Sequence, residues 1–196
     1  MKKKFILILI FTISLTNFNF AYAISPDVFI QSTVNRASQI LSKDITRNEK
    51  IDQLKKIAKE TVDIRGVGFY SLGPIRKNLN EEQKKIYYEL FEQYFLKSFS
   101  SRLAEYTNPE IEVKSKNVIN KNYTIVSSIL VGTSSRPEVK IDWRVYTKDK
   151  NPLIRDLIIE GLSLARTQKE EFLSILNSNG GDINALFKTL KEFSNN

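Results

Sequence analysis

Asp63, Asp142, Asp156 and Glu160 are the carboxylates that would have to carry any acid–base chemistry in this chain. A carboxyl group moved into an apolar pocket loses stabilisation of its charged form, so its pKa rises and it can act as a base. Regular strand alternation turns Asp142 and Glu160 away from the apolar face, which leaves Asp63 as the best base. Asp63 also stands where a helix would begin, and capping is the simpler use for it. No other residue type assists, because the chain has no histidine and no cysteine. That excludes an imidazole base, a Ser-His-Asp arrangement, a thiol nucleophile and a zinc–thiolate site. Gly66-Val67-Gly68 lacks the third glycine and the preceding strand of a dinucleotide-binding fingerprint.

The other available chemistry is cationic. Arg65, Arg76, Arg144, Arg155 and Arg166 are each able to pair bidentately with phosphate. Arg155 is the unusual one, since the series Leu153, Arg155, Leu157, Ile159 puts it on an apolar strand face. Two uses fit: an arginine at the sheet rim paired with a carboxylate, or a cationic group at a cavity mouth.

The ends and the composition bound the class of molecule. Residues 1–23 read as a secretory signal peptide, with Lys2, Lys3 and Lys4 before the apolar run Phe5 to Phe11 and an Ala21-Tyr22-Ala23 cleavage site. The apolar run is shorter than the roughly 20 residues a membrane span needs. No cysteine follows the cleavage site, so a lipoprotein anchor is not expected. Loss of the three lysines lowers the formal charge from +8 to +5. Residues 24–196 suit a single domain with its own core and no disulfides. A modest positive charge, interspersed with acids, reads as a solvated surface or as one that favours anionic membranes or acidic proteins. Export argues against nucleic acid as a partner.

The elements follow from periodicity. Helical spacing of Val28, Phe29, Val34, Ala37, Ile40 and Leu41 predicts a helix over residues 26–42, with Ser25 as N-cap. A second is expected over 47–62, and a short helical segment over 63–73 before Pro74. The longest runs over 80–106, with Asn80 and Gln83 forming a capping box and an aromatic-rich face. The period then changes to two. Residues 111–119 and 123–131 form a hairpin around Asn120-Lys121-Asn122, and Val139, Ile141, Trp143 and Val145 alternate with polar neighbours. A turn over 148–152 leads to a fourth strand over 154–160, and two helices follow over 165–177 and 182–193. Helices, an antiparallel meander and helices again predict an α+β body, one layer of helices on a four-stranded sheet.

Several stretches together resemble the MlaC (toluene-tolerance type) family of periplasmic phospholipid carriers. These are Asp63-Ile64-Arg65 through Ser71-Leu72-Gly73, the long helix with Phe91, Phe95, Leu103 and Tyr106, the strand Ile141-Asp142-Trp143-Arg144-Val145, and the turn from Asp156 to Leu164. Phe172, Leu176, Gly180-Gly181 and Leu186 to Leu190 continue the likeness. Pro74-Ile75-Arg76, Leu153-Ile154-Arg155 and Thr167-Gln168-Lys169 depart from the family pattern.

The resemblance implies a twisted antiparallel sheet of the nuclear-transport-factor/cystatin type under helices, enclosing an apolar cavity for a phospholipid. It implies no cofactor. It also implies two partners: an inner-membrane ABC transporter with an MCE-domain subunit and an outer-membrane lipoprotein–porin complex. Expected at the acyl chains are Val67, Leu72, Leu90, Phe91 and Tyr94 from the helices, Ile129, Val139, Ile141 and Trp143 from the sheet, and Leu157, Ile159, Leu162 and Phe172 beyond. Arg155 is expected near the headgroup. Each apolar side chain would serve core packing equally well. The alternatives are a small carboxylate-base enzyme on a cone-shaped α+β fold, and an adaptor that binds only envelope proteins.

Overall fold

Every described α-helix but the first begins where a short polar side chain accepts from one of its first amides. Thr46 and Glu49 form a capping box at α2 (Arg47–Thr61), and Asn80 and Gln83 form another at α4 (Glu81–Leu103). The computed structural model describes residues 24–195, so the signal-peptide expectation lies outside the described residues. The other helices are α1 (Pro26–Leu41), α3 (Ile64–Ser71), α5 (Leu164–Ser178) and α6 (Ile183–Asn195), with a 3-10 turn at Gly73–Lys77. Ser25 precedes α1 without a side-chain cap; its hydroxyl is instead drawn into a cluster with Asp27 and Lys116. Among the described residues, no helix is long and apolar enough to cross a membrane.

The sheet is a five-stranded antiparallel meander in sequence order: β1 (Ile111–Val118), β2 (Tyr123–Leu130), β3 (Val139–Lys148), β4 (Asn151–Ile159) and β5 (Leu162–Ser163). The expected four-stranded helix-on-sheet body is present, with a fifth, two-residue strand added. A turn was expected at each end of β4, and both are tighter than the sequence suggested, for one reason. Asp149 and Lys150 between β3 and β4, and Glu160 and Gly161 between β4 and β5, all have positive φ. Such two-residue turns match strand twist but normally advertise themselves with Asn-Gly or Gly-Gly. The tight first turn starts β4 at Asn151, three residues before the expected start, with Pro152 inside the strand.

A second correction concerns the face of β4. Val145 pairs with Ile154 while Arg144 pairs with Asp156, so Arg155 is the extra residue of a β-bulge. The bulge shifts the alternation. Ile154, Leu157 and Ile159 stand opposite Val145, Trp143 and Ile141 on the helix side, whereas Leu153 pairs with Tyr146 on the other. The expected face of Leu153, Arg155, Leu157 and Ile159 does not exist.

Helix α4 packs against α2, α3 and α6 and forms the spine of the helical layer. It is apolar on several sides, as a helix enclosed by neighbours must be. Tyr87 and Phe91 stack at 5.7 Å and both meet Phe172 edge-on. Helix α3 approaches so closely that a Cβ on Gly68 would lie 2.7 Å from the Phe91 ring, and the Tyr87 hydroxyl donates to the Gly68 carbonyl at 2.9 Å. At the open edge of the sheet, the Gln31 carboxamide accepts from the Val113 amide and donates to the Ile111 carbonyl.

Gly68→Ala is expected to destabilise the protein by about 1–3 kcal/mol, the usual range for overpacking a filled core. Urea unfolding followed by circular dichroism measures it, and unchanged stability would contradict the α3–α4 packing described.

Candidate functional site

The helical layer does not close completely on the sheet. Two apolar lobes remain between them, of about 140 and 120 Å³. The first lies among α4, α5 and the start of β4, and is walled by Val67, Phe91, Phe95 and Leu164. The second lies under α1 and α2, walled by Val34, Leu41, Leu54 and Ile57 above and Ile141, Trp143 and Ile159 below. Val62, Phe99, Ile154 and Leu157 line both, so they form the waist between the lobes. An apolar cavity of about 150 Å³ in another protein stays dry and admits benzene. These lobes are of that size; the second is lined almost wholly by apolar side chains, and the first also by Arg102, Arg155, Asp156, Gln168 and Glu171.

The polar groups around the cavity are tied into the fold. The Trp143 indole donates to Ser128 Oγ at 2.8 Å, and Ser128 donates to the Ile141 carbonyl, so the sheet floor has no orphaned indole N–H. Asp63 accepts from the Gly66 amide at 2.9 Å as the N-cap of α3, and its other oxygen accepts from Arg155 Nε at 2.7 Å. Gly66 is required there, since a Cβ would lie 2.3 Å from that carboxylate. The bulged Arg155 also donates to the Tyr123 hydroxyl at 2.6 Å, and its guanidinium lies 3.6 Å from the Tyr146 ring centre. Burial works against the Arg155 charge, but its bonds to Asp63 and Tyr123 outweigh that and raise its pKa. Asp156, 5 % exposed, accepts from the Ser163 hydroxyl and the Ala165 amide at the head of α5. Asp142 pairs with Lys140 at 3.4 Å, and Glu160 accepts from the Lys140 amide.

The residues expected at a ligand fall into three groups. Val67, Phe91, Tyr94 and Leu157 line the first lobe, and Ile141, Trp143, Leu157 and Ile159 the second. Leu72 and Phe172 are fully buried in the core, and Leu90 and Val139 pack half-buried against it. Ile129 alternates with buried Ser128 and Leu130, so it lies on the opposite face of β2, and Leu162 is exposed on β5. Arg155 stands in the partition between the first lobe and an open cleft on the outer face of the sheet.

Sequence reasoning missed the waist and the α1–α2 wall. The apolar stripe of each helix was visible, but a stripe facing a cavity and one facing a filled core have the same spacing. Phe95, Phe99 and Arg102 could have been found from α4 alone, since its aromatic residues cover more than one face.

A sequence model described as MlaC protein matches residues 31–192. The intermembrane phospholipid transport system binding protein MlaC of Haemophilus influenzae is 25 % identical over 170 residues, covering 81 % of this chain and 78 % of that protein. A phospholipid-binding protein from Ralstonia solanacearum, solved in complex with a phospholipid, superposes with a TM-score of 0.73 at 19 % identity. That alignment covers 86 % of this chain and 96 % of the other, and it establishes the fold.

Asp63→Asn and Arg155→Met are each expected to cost about 1–3 kcal/mol, since either change strands a half-buried polar partner. A double-mutant cycle by urea unfolding should show coupling of at least about 0.5 kcal/mol. Strict additivity would remove the pair as a tie between α3 and β4.

Proposed function

Because the chain belongs to the MlaC protein family over residues 31–192, we propose that it is a phospholipid carrier working between the two membranes of a Gram-negative type envelope. In this reading residues 1–23 direct export and are removed, and the single domain that follows is soluble and periplasmic. It takes glycerophospholipid between an outer-membrane lipoprotein–porin complex and an inner-membrane ABC transporter with an MCE-domain subunit.

The observation that carries the proposal is the two-lobed apolar cavity, which runs from the α4–α5 mouth across the waist to the sheet floor. Burying acyl chains is worth about 0.8 kcal/mol per methylene. A carrier that offers a dry, non-directional pocket can therefore compete with a bilayer for the chains without recognising them in detail. Two full chains exceed the volume of the lobes, so loading widens them. The assigned lipid contacts are Val67, Phe91, Tyr94, Ile141, Trp143, Leu157 and Ile159, with Val62, Phe95, Phe99 and Ile154 added.

A carboxylate-base enzyme finds less support. Asp63, Asp156 and Glu160 are each committed to structural hydrogen bonds, and Asp142, although its Oδ1 is buried without a partner, lies on the face of β3 opposite Ile141 and Trp143, away from the cavity. A base must present a free lone pair to the proton it removes.

The full chain, exported into the periplasm of a Gram-negative host and purified without detergent, should yield about one equivalent of phospholipid by native mass spectrometry. Folded protein without lipid would overturn the proposal. Solvent extraction of the lipid should lower Tm, because a ligand bound only by the native state stabilises it. Leu157→Asp and Phe99→Asp place a charge at the waist and should cut co-purified lipid several-fold in protein that remains folded. Retention equal to wild type would take those residues off the path.

A further inference from the structure

The second lobe is lined almost wholly by apolar side chains, so the polar groups available to a headgroup gather around the first lobe, towards its mouth. That mouth lies between two helical stripes. Tyr94, Ser98 and Arg102 lie at i, i+4 and i+8 on α4, and Leu164, Gln168 and Glu171 at i, i+4 and i+7 on α5. The Tyr94 hydroxyl donates to Gln168 Oε1 at 2.8 Å, and Gln168 Nε2 donates to Glu171 Oε2 at 3.0 Å. This relay fixes the amide and holds the Glu171 carboxylate at the rim with one oxygen still open.

Arg102 stands on the opposite side, in the last turn of α4. Both charged residues are exposed. Among the described residues, no ion pair joins them or ties Arg102 elsewhere. Neighbouring cations are already engaged: Lys97 with the Ser194 carbonyl and the Phe193 ring, and Lys169 with the Tyr70 ring. The Tyr94 hydroxyl lies within reach of both rim charges. Burial pushes its pKa up, Glu171 pushes the same way, and Arg102 opposes.

A mouth with one separated cation and one separated anion matches a zwitterion. We infer that this mouth prefers a phosphodiester headgroup bearing a primary ammonium, with Arg102 on the phosphate and Glu171 on the ammonium. The inference rests on the carrier reading. A guanidinium fork suits a phosphate oxygen pair, and a carboxylate accepts from the three N–H donors of an ammonium. An anionic headgroup without an amine leaves Glu171 facing like charge, so discrimination is partly repulsive. Both groups are wet, which sets the scale at one exposed ion pair, a preference of about two- to fivefold that weakens with salt.

The test loads delipidated full chain from vesicles of equal phosphatidylethanolamine and phosphatidylglycerol with identical acyl chains, and measures bound lipid by mass spectrometry. Wild type should take up the ethanolamine lipid about two- to fivefold in excess. Glu171→Gln should bring the ratio towards one by lowering uptake of the ethanolamine lipid, and Arg102→Gln should lower uptake of both lipids. Equal uptake by wild type, or a preference that survives Glu171→Gln, overturns the inference and leaves the carrier reading intact. No uptake of either lipid by folded wild type overturns the carrier reading itself, and the inference with it.

Discussion

The contact between Asp63 and Arg155 adds a charged tie between two parts of the chain that are otherwise held by apolar packing and a single backbone bridge. It forms where the α2–α3 junction meets β4, beside a backbone bond from the Asp63 amide to the Ile154 carbonyl. One carboxylate thereby starts a helix, anchors that helix to the sheet and neutralises a bulged arginine. The bulge depends on this neutralisation, since an extra residue bearing an unpaired charge beside a core strand would be costly. In turn the bulge sets which side chains of β4 face the helices. Ile154 and Leu157 reach the waist of the cavity only because Arg155 has shifted the alternation between them.

This dependence explains what was and was not legible in the residues. Features that rest on nearest neighbours in sequence were readable: the capping box of Asn80 and Gln83, the hairpin through Asn120, and the inward set Ile141, Trp143 and Val145. The class of fold follows from those alone. Arg155 drew attention as a charge on an apolar face, and that anomaly marked the bulge. Its resolution required Asp63, Tyr123 and Tyr146, the first of them 92 positions away. Turns were expected at both ends of β4, but the two-residue form at Asp149-Lys150 and Glu160-Gly161 was hidden, because the first has no glycine and the second has a glutamate at positive φ. Such backbone strain is held in place by the pairing of the strands on either side.

The cavity was the least legible feature, for a reason specific to α4. A helix that packs one stripe on a sheet shows a clear apolar side. One that touches α2, α3 and α6 and also borders a void shows aromatic residues all round. Tyr87 and Phe172 fill space, whereas Phe91, Phe95 and Phe99, the last two stacked at 5.4 Å, border space left open. Nothing in the residue types distinguishes the two uses. Packing density does, and it is a property of the assembled layers.

The Gln31 carboxamide along β1 has a consequence for how this surface meets other molecules. By mimicking one residue of a sixth strand, it occupies the Ile111 carbonyl and the Val113 amide that a foreign backbone would need. Lys114 bulges at the same edge, and Lys116 is engaged with Asp27 just beyond. This edge therefore offers little template for edge-to-edge polymerisation. Any molecule that meets it meets side chains in place of free backbone groups.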